Sequence, residues 1–264
     1  MHSSIFHYLF LAFAALLGGL VNSVAGGGGF IAFPSLLKVG LLPIQANATN
    51  TVALWPGQFT SIAGYREDLR KNHRLVLPVM LVAISGGLLG ALTLLHGTQR
   101  GFLRLVPYLF LLGSTSFALS GPLRRMMRRR MAESDAHPEH HRRVALAPLL
   151  AALLAITYYI GYFGAGAGML TMSALALCGL EKIAEINALK TVITTTANAV
   201  ACITFIASGA VEWRYCWLMM ITCAVGGYTG ARNARRISDR ILRPCIIALG
   251  FGLAIYFFVH KQAL

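Results

Sequence analysis

Ten apolar segments follow one another along the chain, separated by short polar or glycine-rich stretches. Two of them, residues 75–95 and 102–120, contain almost no charge, and each matches the about 20 residues that a helix needs to cross a bilayer. A soluble core cannot bury this many helices that are apolar on every side. The pattern therefore predicts an all-α polytopic membrane protein. Its segments run approximately over residues 5–24, 28–42, 46–64, 74–95, 102–120, 145–163, 166–179, 186–208, 213–231 and 241–260.

The composition and the placement of charge support this prediction. Charged residues make up only 12% of the chain, whereas a soluble domain carries roughly 25%. The formal net charge is +14, but most basic residues lie in three short stretches between apolar segments, at 66–74, 124–143 and 232–243. Positive charge in short loops is typical of the cytoplasmic face of a membrane and of contact with anionic lipid headgroups. We therefore place these loops on the cytoplasmic side of the membrane, and we expect no binding to nucleic acid.

Other sequence signals argue against an enzyme. The five cysteines lie in or at the ends of apolar segments without a CxxC pair, which is typical of small core residues. The first 29 residues lack a basic start and a clear cleavage site, so we interpret them as a first membrane segment and not as a signal peptide. The chain contains no Walker loop, HExxH motif, nucleophile elbow or intramembrane acidic pair. We expect no catalytic residues, no metal site and no cofactor.

The two halves of the chain resemble each other. The glycine-rich stretch at 26–34 corresponds to residues 164–172, and ANATNTVA at 46–53 corresponds to INALKTVI at 186–193. Features that recur in the same order at a nearly constant offset indicate an internal repeat. The predicted organisation is a first transmembrane repeat at 1–122, an Arg-rich cytoplasmic linker at 123–143 and a second transmembrane repeat at 144–264.

The three basic stretches also predict how the repeats are oriented. If all are cytoplasmic, an even number of crossings separates each pair. This requires that segments 145–163 and 166–179 either both cross or together form a re-entrant hairpin. Each repeat of four to five segments then crosses an odd number of times, so the repeats are inverted, as in many secondary transporters. Both termini would be periplasmic. The sequence allows either a full or a partial crossing for the short segments 28–42 and 166–179.

Glycine-rich breaks occur at matching places in the two repeats. Glycine destabilises a helix by roughly 0.5–1 kcal/mol per position relative to alanine, and non-helical backbone within a membrane requires surrounding protein or water. Two interpretations stay open: the breaks present backbone N–H groups and a helix N-terminus to an anion, or they allow close helix packing and a tight turn. Paired interruptions are a known pointer to a transport site. The candidate glycines are Gly27, Gly28, Gly29, Gly166 and Gly168.

Polar residues open the long helix that follows each short segment. Asn47 and Asn187 stand at corresponding positions, where a helix cap would also explain them. Asn50 and Lys190 stand three residues further in. Lys190 adjoins an otherwise apolar run, where a charge faces a cavity or partner or else snorkels to the interface. The candidate binding residues of this cluster are Asn47, Thr49, Asn50, Asn187, Lys190 and Thr191.

At these motifs the chain resembles a known family. The N-terminal signature of the TauE/SafE sulfite exporter family of bacterial permeases is very similar to GGLVNSVAGGGGFIAFPSLLKVGLLPIQANATNTVAL, and its internal partner resembles GYFGAGAGMLTMSALALCGLEKIAEINALKTVI. The resemblance covers nearly the whole chain. It implies a permease of a bacterial inner membrane for sulfite or small organosulfur anions such as sulfonates. It also implies binding roles for the glycine breaks and for Asn47, Thr49, Asn50, Asn187 and Lys190. Family members are often predicted with fewer spans than the ten segments counted here.

The expected function is secondary transport of a small anion by alternating access between the two repeats. The amides of the breaks would bind the anion, Asn and Thr side chains would orient it, and Lys190 would supply positive charge. Proton coupling is compatible with this expectation, with Glu185 and Glu212 as minor candidates near segment ends. An anion channel could use the same breaks, and a non-transporting membrane scaffold would need no polar site. The sequence does not indicate the exact substrate, the direction, the coupling ion or the oligomeric state.

Overall fold

The computed structural model describes residues 2–25, 27–56, 73–136, 146–180, 183–233 and 239–260. Within these ranges the chain forms helices and connecting turns and contains no β-strand. The helices are α1 (His2–Ala25), α2 (Gly29–Lys38), α3 (Pro43–Leu54), α4 (His73–His96), α5 (Gln99–Ala136), α6 (Leu146–Tyr162), α7 (Ala167–Leu177), α8 (Ile183–Ala207), α9 (Trp213–Asn233) and α10 (Asp239–Val259). Each corresponds to one predicted apolar segment, so the all-α fold class is confirmed.

The helices differ in whether they can cross a membrane. In the described part of the chain, four apolar stretches are long enough: Ile5–Ser23, Leu75–His96, Gln99–Leu119 and Glu185–Ala207. By contrast, α2 has 10 residues and α7 has 11. At 1.5 Å per residue these two helices are about 15–17 Å long, roughly half of the hydrocarbon core. Neither is long enough to cross the membrane alone.

Helix α5 extends beyond its predicted segment. It continues past the apolar stretch, which ends at Leu119, as far as Ala136. The first part of the predicted Arg-rich linker, residues 123–136, is therefore helical. The rest of that linker lies outside the described residues, as do most of the basic stretch 66–74 and residues 234–238 of the third stretch.

The two short helices end in the same way. Gly40 follows α2 with φ of 94°, and Gly179 follows α7 with φ of 112°, a region that only glycine adopts without strain. In both, the residue after the glycine donates a backbone hydrogen bond to the carbonyl five residues earlier, as in a Schellman motif. These caps turn the chain at matching places into α3 and α8.

The helices of the two halves make corresponding contacts. Helix α1 packs on α9 as α6 packs on α4, and α3 packs on α9 as α8 packs on α4. Helix α3 also packs on α8, and α5 packs on α10. Exchanging α1–α5 with α6–α10 leaves this set of pairs unchanged. The pattern is compatible with the predicted internal repeat.

Glycine motifs at equivalent positions bring two of these pairs into backbone contact. GGLLG at 86–90 in α4 and GGYTG at 226–230 in α9 have the same spacing, 140 positions apart. A Cβ on Gly86 would collide with Thr157 of α6, and a Cβ on Gly226 would collide with the backbone of α1. Small residues at an interface allow membrane helices to approach this closely.

Two helix pairs run parallel. Near the starts of α1 and α9, the rings of Tyr8 and Tyr215 lie 5.6 Å apart, and near their ends Gly230 contacts the backbone of Leu20. Between α4 and α6, earlier residues of one helix contact earlier residues of the other, and later residues contact later ones. The parallel pairs thus each join one helix from each half.

The equivalent helices α5 and α10 run antiparallel. The rings of Tyr108 and Phe258 lie 5.0 Å apart, whereas Ser114, further along α5, contacts Gly250, which lies earlier on α10. Equivalent helices that pack antiparallel across their contact are what an inverted repeat requires. The observed directions are therefore compatible with the predicted inversion.

The outer surface is apolar. Phe6, Leu9 and Phe13 of α1, with Trp217 and Tyr228 of α9, are all more than half exposed. Continuous exposure of large apolar side chains is unfavourable in water but matches a surface that faces lipid. This surface agrees with a multi-pass membrane protein.

Aromatic rings fill the interior beside the two glycine breaks. Phe30 and Phe33 follow the first break, and Phe163 lies in the second. The ring centroids of Phe33 and Phe163 are 5.4 Å apart, and Phe110 of α5 lies 5.4 Å from both Phe30 and Phe163. The breaks of the two halves therefore approach each other across this aromatic cluster.

Candidate functional site

Helices α3 and α8, which carry the predicted polar cluster, pack against each other antiparallel. The Sγ of Cys202 lies 3.7 Å from the carbonyl oxygen of Thr51, and Trp55 Nε1 donates to the carbonyl oxygen of Thr195 at 3.5 Å. Trp55 and Thr195 are 140 positions apart and so are equivalent residues of the two halves. The cluster therefore lies where the two halves meet.

Asn47 of α3 connects this helix to the second break. Its side chain is completely buried, and its Nδ2 donates to the carbonyl oxygen of Tyr162, the last residue of α6, at 3.1 Å. Because a carbonyl oxygen only accepts hydrogen bonds, this contact fixes which way the amide points. The Oδ1 of Asn47 is buried and has no donor among the described residues.

Asn50 lies beside the first break. It is one helical turn beyond Asn47 on the same face of α3, and it is 5% exposed. A Cβ on Gly29, the first residue of α2, would lie 3.4 Å from Asn50 Nδ2. The Oδ1 of Asn50 likewise has no partner in the part of the chain that the structure describes. The amide thus adjoins the positive end of the α2 dipole.

The second half repeats this arrangement with a charged residue. Lys190 of α8 is half-buried, and a Cβ on Gly168, in the first turn of α7, would lie 3.9 Å from Lys190 Cδ. Gly168 stands 139 positions after Gly29, and Lys190 stands 140 positions after Asn50. The backbone N–H of Gly168 donates to no other described backbone carbonyl, as is usual for a first helical turn. Each half therefore brings one break glycine next to one polar residue of the cluster.

The other candidate glycines pack against protein. A Cβ on Gly28 would collide with the backbone of α1, and a Cβ on Gly27 would lie 3.1 Å from a side chain of α10. Gly166 has φ of 77°, and its Cβ would lie 2.9 Å from the backbone of α5. Close packing thus accounts for these three, while Gly29 and Gly168 are the glycines that face the polar cluster.

Of the three remaining candidates, Thr49 and Thr191 make structural hydrogen bonds. The Oγ1 of Thr49 accepts from the N–H of Glu212, just before α9, at 3.0 Å and so joins α3 to α9. The hydroxyl of Thr191 donates to the carbonyl of Asn187 within α8 at 2.8 Å. Asn187 itself is half-buried. Binding roles for these three residues stay predictions.

Trp55 and Thr195 belong to this region although no motif indicated them as site residues. The Oγ1 of Thr195 is buried and has no partner among the described residues. An alignment of the chain with itself at an offset of 140 would have paired them, since it also pairs Asn47 with Asn187 and Asn50 with Lys190. Pairing alone would not have shown that they touch.

The groups that this arrangement brings together are compatible with an anion as ligand. Two helix N-termini adjoin the cluster, and each carries the equivalent of about half a positive charge. Lys190 adds an ammonium group, and the asparagine amides can orient a ligand. A family model matches residues 11–257, a range that contains every candidate residue, and it describes the sulfite exporter TauE/SafE.

The chain belongs to the sulfite exporter TauE/SafE family. The resemblance predicted from the glycine run and the ANATN motif is thereby confirmed. TauE/SafE proteins are membrane transporters, which agrees with the apolar surface and the long apolar helices described above. We therefore treat the chain as a multi-pass membrane transporter.

Relatives from three bacteria carry names of the same kind. The chain is 28% identical over 256 residues to the "Probable membrane transporter protein ORF9" of a Sinorhizobium species, covering 97% of this chain and 94% of the relative. It is 28% identical over 241 residues to the "Probable membrane transporter protein YfcA" of Escherichia coli K12, covering 90% and 84%. It is 23% identical over 239 residues to a "Probable membrane transporter protein" of Haemophilus influenzae, covering 89% and 88%. No solved structure shows significant similarity to the chain.

Proposed function

We propose that this TauE/SafE protein is a secondary transporter of a small anion, either sulfite or an organosulfur anion such as a sulfonate. The observation that carries the proposal is the matched pair of contacts, Gly29 with Asn50 and Gly168 with Lys190. In each half, the start of a short helix adjoins a polar side chain of the helix that follows it. The anion would bind between these two points.

Electrostatics supports an anion as the ligand. The N-termini of α2 and α7 contribute positive potential near the cluster, and Lys190, whose side-chain Cδ lies beside Gly168, would add a positive charge. A site enclosed by protein has a lower effective dielectric constant than water, so these charges act more strongly on a bound ion. A cation would be repelled by the same groups.

The substrate class rests on the family. The family description names sulfite, and the motifs that carry the resemblance are the ones that build this site. The names of the relatives specify membrane transport without a substrate.

Alternating access between inverted repeats is the proposed mechanism. Equivalent helices run antiparallel in both pairs that touch, α3 with α8 and α5 with α10. With the basic stretches 66–74, 124–143 and 232–243 in the cytoplasm of a bacterial cell, α4 and α6 would both lead outward and α1 and α9 inward. These directions agree with the parallel contacts of each pair.

Flux measurements in proteoliposomes test this proposal. Labelled sulfite, sulfate and a simple sulfonate are measured with and without a pH gradient. We expect saturable flux with accelerated exchange when unlabelled anion is present on the far side. Flux that does not saturate and shows no exchange would instead favour an anion channel. No flux of any of these anions would overturn the proposal and favour a scaffold role.

A further inference from the structure

Among the described residues, two buried amide oxygens at the site have no hydrogen-bond donor, although the proposed ligand is an anion. The Oδ1 atoms of Asn47 and Asn50 are both buried without a partner among the described residues. Leaving a buried acceptor unpaired is costly, so nearly all such groups in folded proteins have partners. A bound ligand is one way to account for both features.

A simple fully deprotonated oxyanion matches the positive charge around the site but not the unpaired amide oxygens. Such an anion accepts hydrogen bonds from Lys190 and from the N-termini of α2 and α7, but it has nothing to donate to an amide oxygen. Its oxygens would be repelled by Oδ1 of Asn47, whose amide is held in orientation by Tyr162. A cation would satisfy the amide oxygens but would face the positive helix ends.

We propose that the anion carried at this site also bears a hydrogen-bond donor, an O–H or N–H group, which pairs with the amide oxygens of Asn47 and Asn50. This inference rests on the proposed function, since it refines the anion that the same site binds. The charged end would lie toward the N-terminus of α7 and Lys190. The donor end would lie toward α3. Asn50 and Lys190, equivalent residues of different character, would then recognise opposite ends of one ligand.

The expected preference for a ligand with a donor follows from the cost of leaving a buried acceptor unpaired. A site built to pair with a donor rejects an analogue that lacks it, because the buried acceptor is then left unpaired. The matched probes are 2-hydroxyethanesulfonate and ethanesulfonate, which share their charge and carbon skeleton and differ in one hydroxyl. We expect the first to be preferred by on the order of 10-fold or more.

The experiment measures how well each sulfonate competes with labelled sulfite flux into proteoliposomes. In the wild type, 2-hydroxyethanesulfonate should compete at a concentration at least about 10-fold lower than ethanesulfonate. Asn50→Leu removes the acceptor at similar volume and should bring the ratio toward one, mainly by weakening the hydroxylated compound. Thr115→Val alters an exposed hydroxyl on α5 and should leave the ratio unchanged.

Two results would overturn the inference while the proposed function stands. One is sulfite flux with equal competition by the two sulfonates, or with competition by neither, which would mean that water or protein motion satisfies the amide oxygens. The other is a wild-type preference that Asn50→Leu leaves intact. Absence of flux for every anion tested would overturn the proposed function itself, and this inference with it.

Discussion

Trp55 donates a hydrogen bond from its indole Nε1 to the carbonyl oxygen of Thr195, the residue that stands 140 positions later in the equivalent helix. A contact between equivalent residues places them close to the axis that would relate the two halves. The polar cluster begins about one turn from this point, at Asn50. A site close to such an axis can be approached from either side of the membrane by equivalent movements of the two halves.

The conformation of Gly166 makes the second break sensitive to any side chain. Gly166→Ala would place a Cβ in the left-handed region, at a cost of roughly 1–2 kcal/mol, and also 2.9 Å from the backbone of α5. We expect the purified variant to unfold at a clearly lower temperature than the wild type in a thermal scan in detergent.

Gly252→Ala is the matched control for that substitution. Gly252 lies inside α10, and a Cβ there would meet no atom within 4 Å. Alanine favours a helix by about 1 kcal/mol over glycine, so this variant should be as stable as the wild type or slightly more so. Equal melting temperatures for the two variants would show that the second break does not have the described conformation.

The side-chain amide of Asn47 donates a hydrogen bond to the carbonyl oxygen of Tyr162 and so joins the two halves. We expect this hydrogen bond to stabilise the fold. Asn47→Ala leaves a buried carbonyl oxygen unpaired and should lower the free energy of unfolding by about 1–3 kcal/mol. Ser85→Ala removes an exposed hydroxyl that bonds within its own helix, and it should change the melting temperature little. If Asn47→Ala were as stable as this control, the two halves would not be joined as described.

The proposed orientation predicts which exposed residues a reagent can reach from the periplasm. Thr98, between α4 and α5, and Arg232, near the end of α9, are both exposed. In a variant without the native cysteines, Thr98→Cys should react with a membrane-impermeant maleimide added to cells with a permeable outer membrane. Arg232→Cys should react only after the inner membrane is opened, because basic stretches are retained in the cytoplasm. The reverse labelling pattern would contradict the orientation.

The apolar pattern predicted every helix that the described residues form, because each one is set by local sequence. Most segment ends agree with helix ends to within a few residues, and Gly40 and Gly179 mark where the short helices stop. The exceptions are α3, which ends at Leu54, and α5, which continues to Ala136. The internal repeat was predicted from the breaks and from the ANATN motif, and the helix contacts are compatible with it. A further signal, the matching GGLLG and GGYTG motifs of α4 and α9, could have been found by the same comparison.

The contacts of the candidate site could not be predicted in the same way. Asn47 bonds to a carbonyl 115 positions away, and Thr49 bonds to an N–H group 163 positions away. Such partners depend on how the halves pack and not on the local pattern. For the same reason the sequence could not separate the glycines that pack, such as Gly28, from those that face the polar cluster, such as Gly29.

The central claim is that the positive charge of Lys190 binds the transported anion, and sulfite flux into proteoliposomes tests it most directly. Lys190→Met removes the charge and keeps an unbranched chain, so kcat/KM should fall about 10- to 100-fold, the range for losing a charged hydrogen bond. Lys190→Arg should retain most of the flux. Lys38→Met, at an exposed lysine at the far end of α2, should behave as the wild type. Undiminished sulfite flux in Lys190→Met would contradict the account.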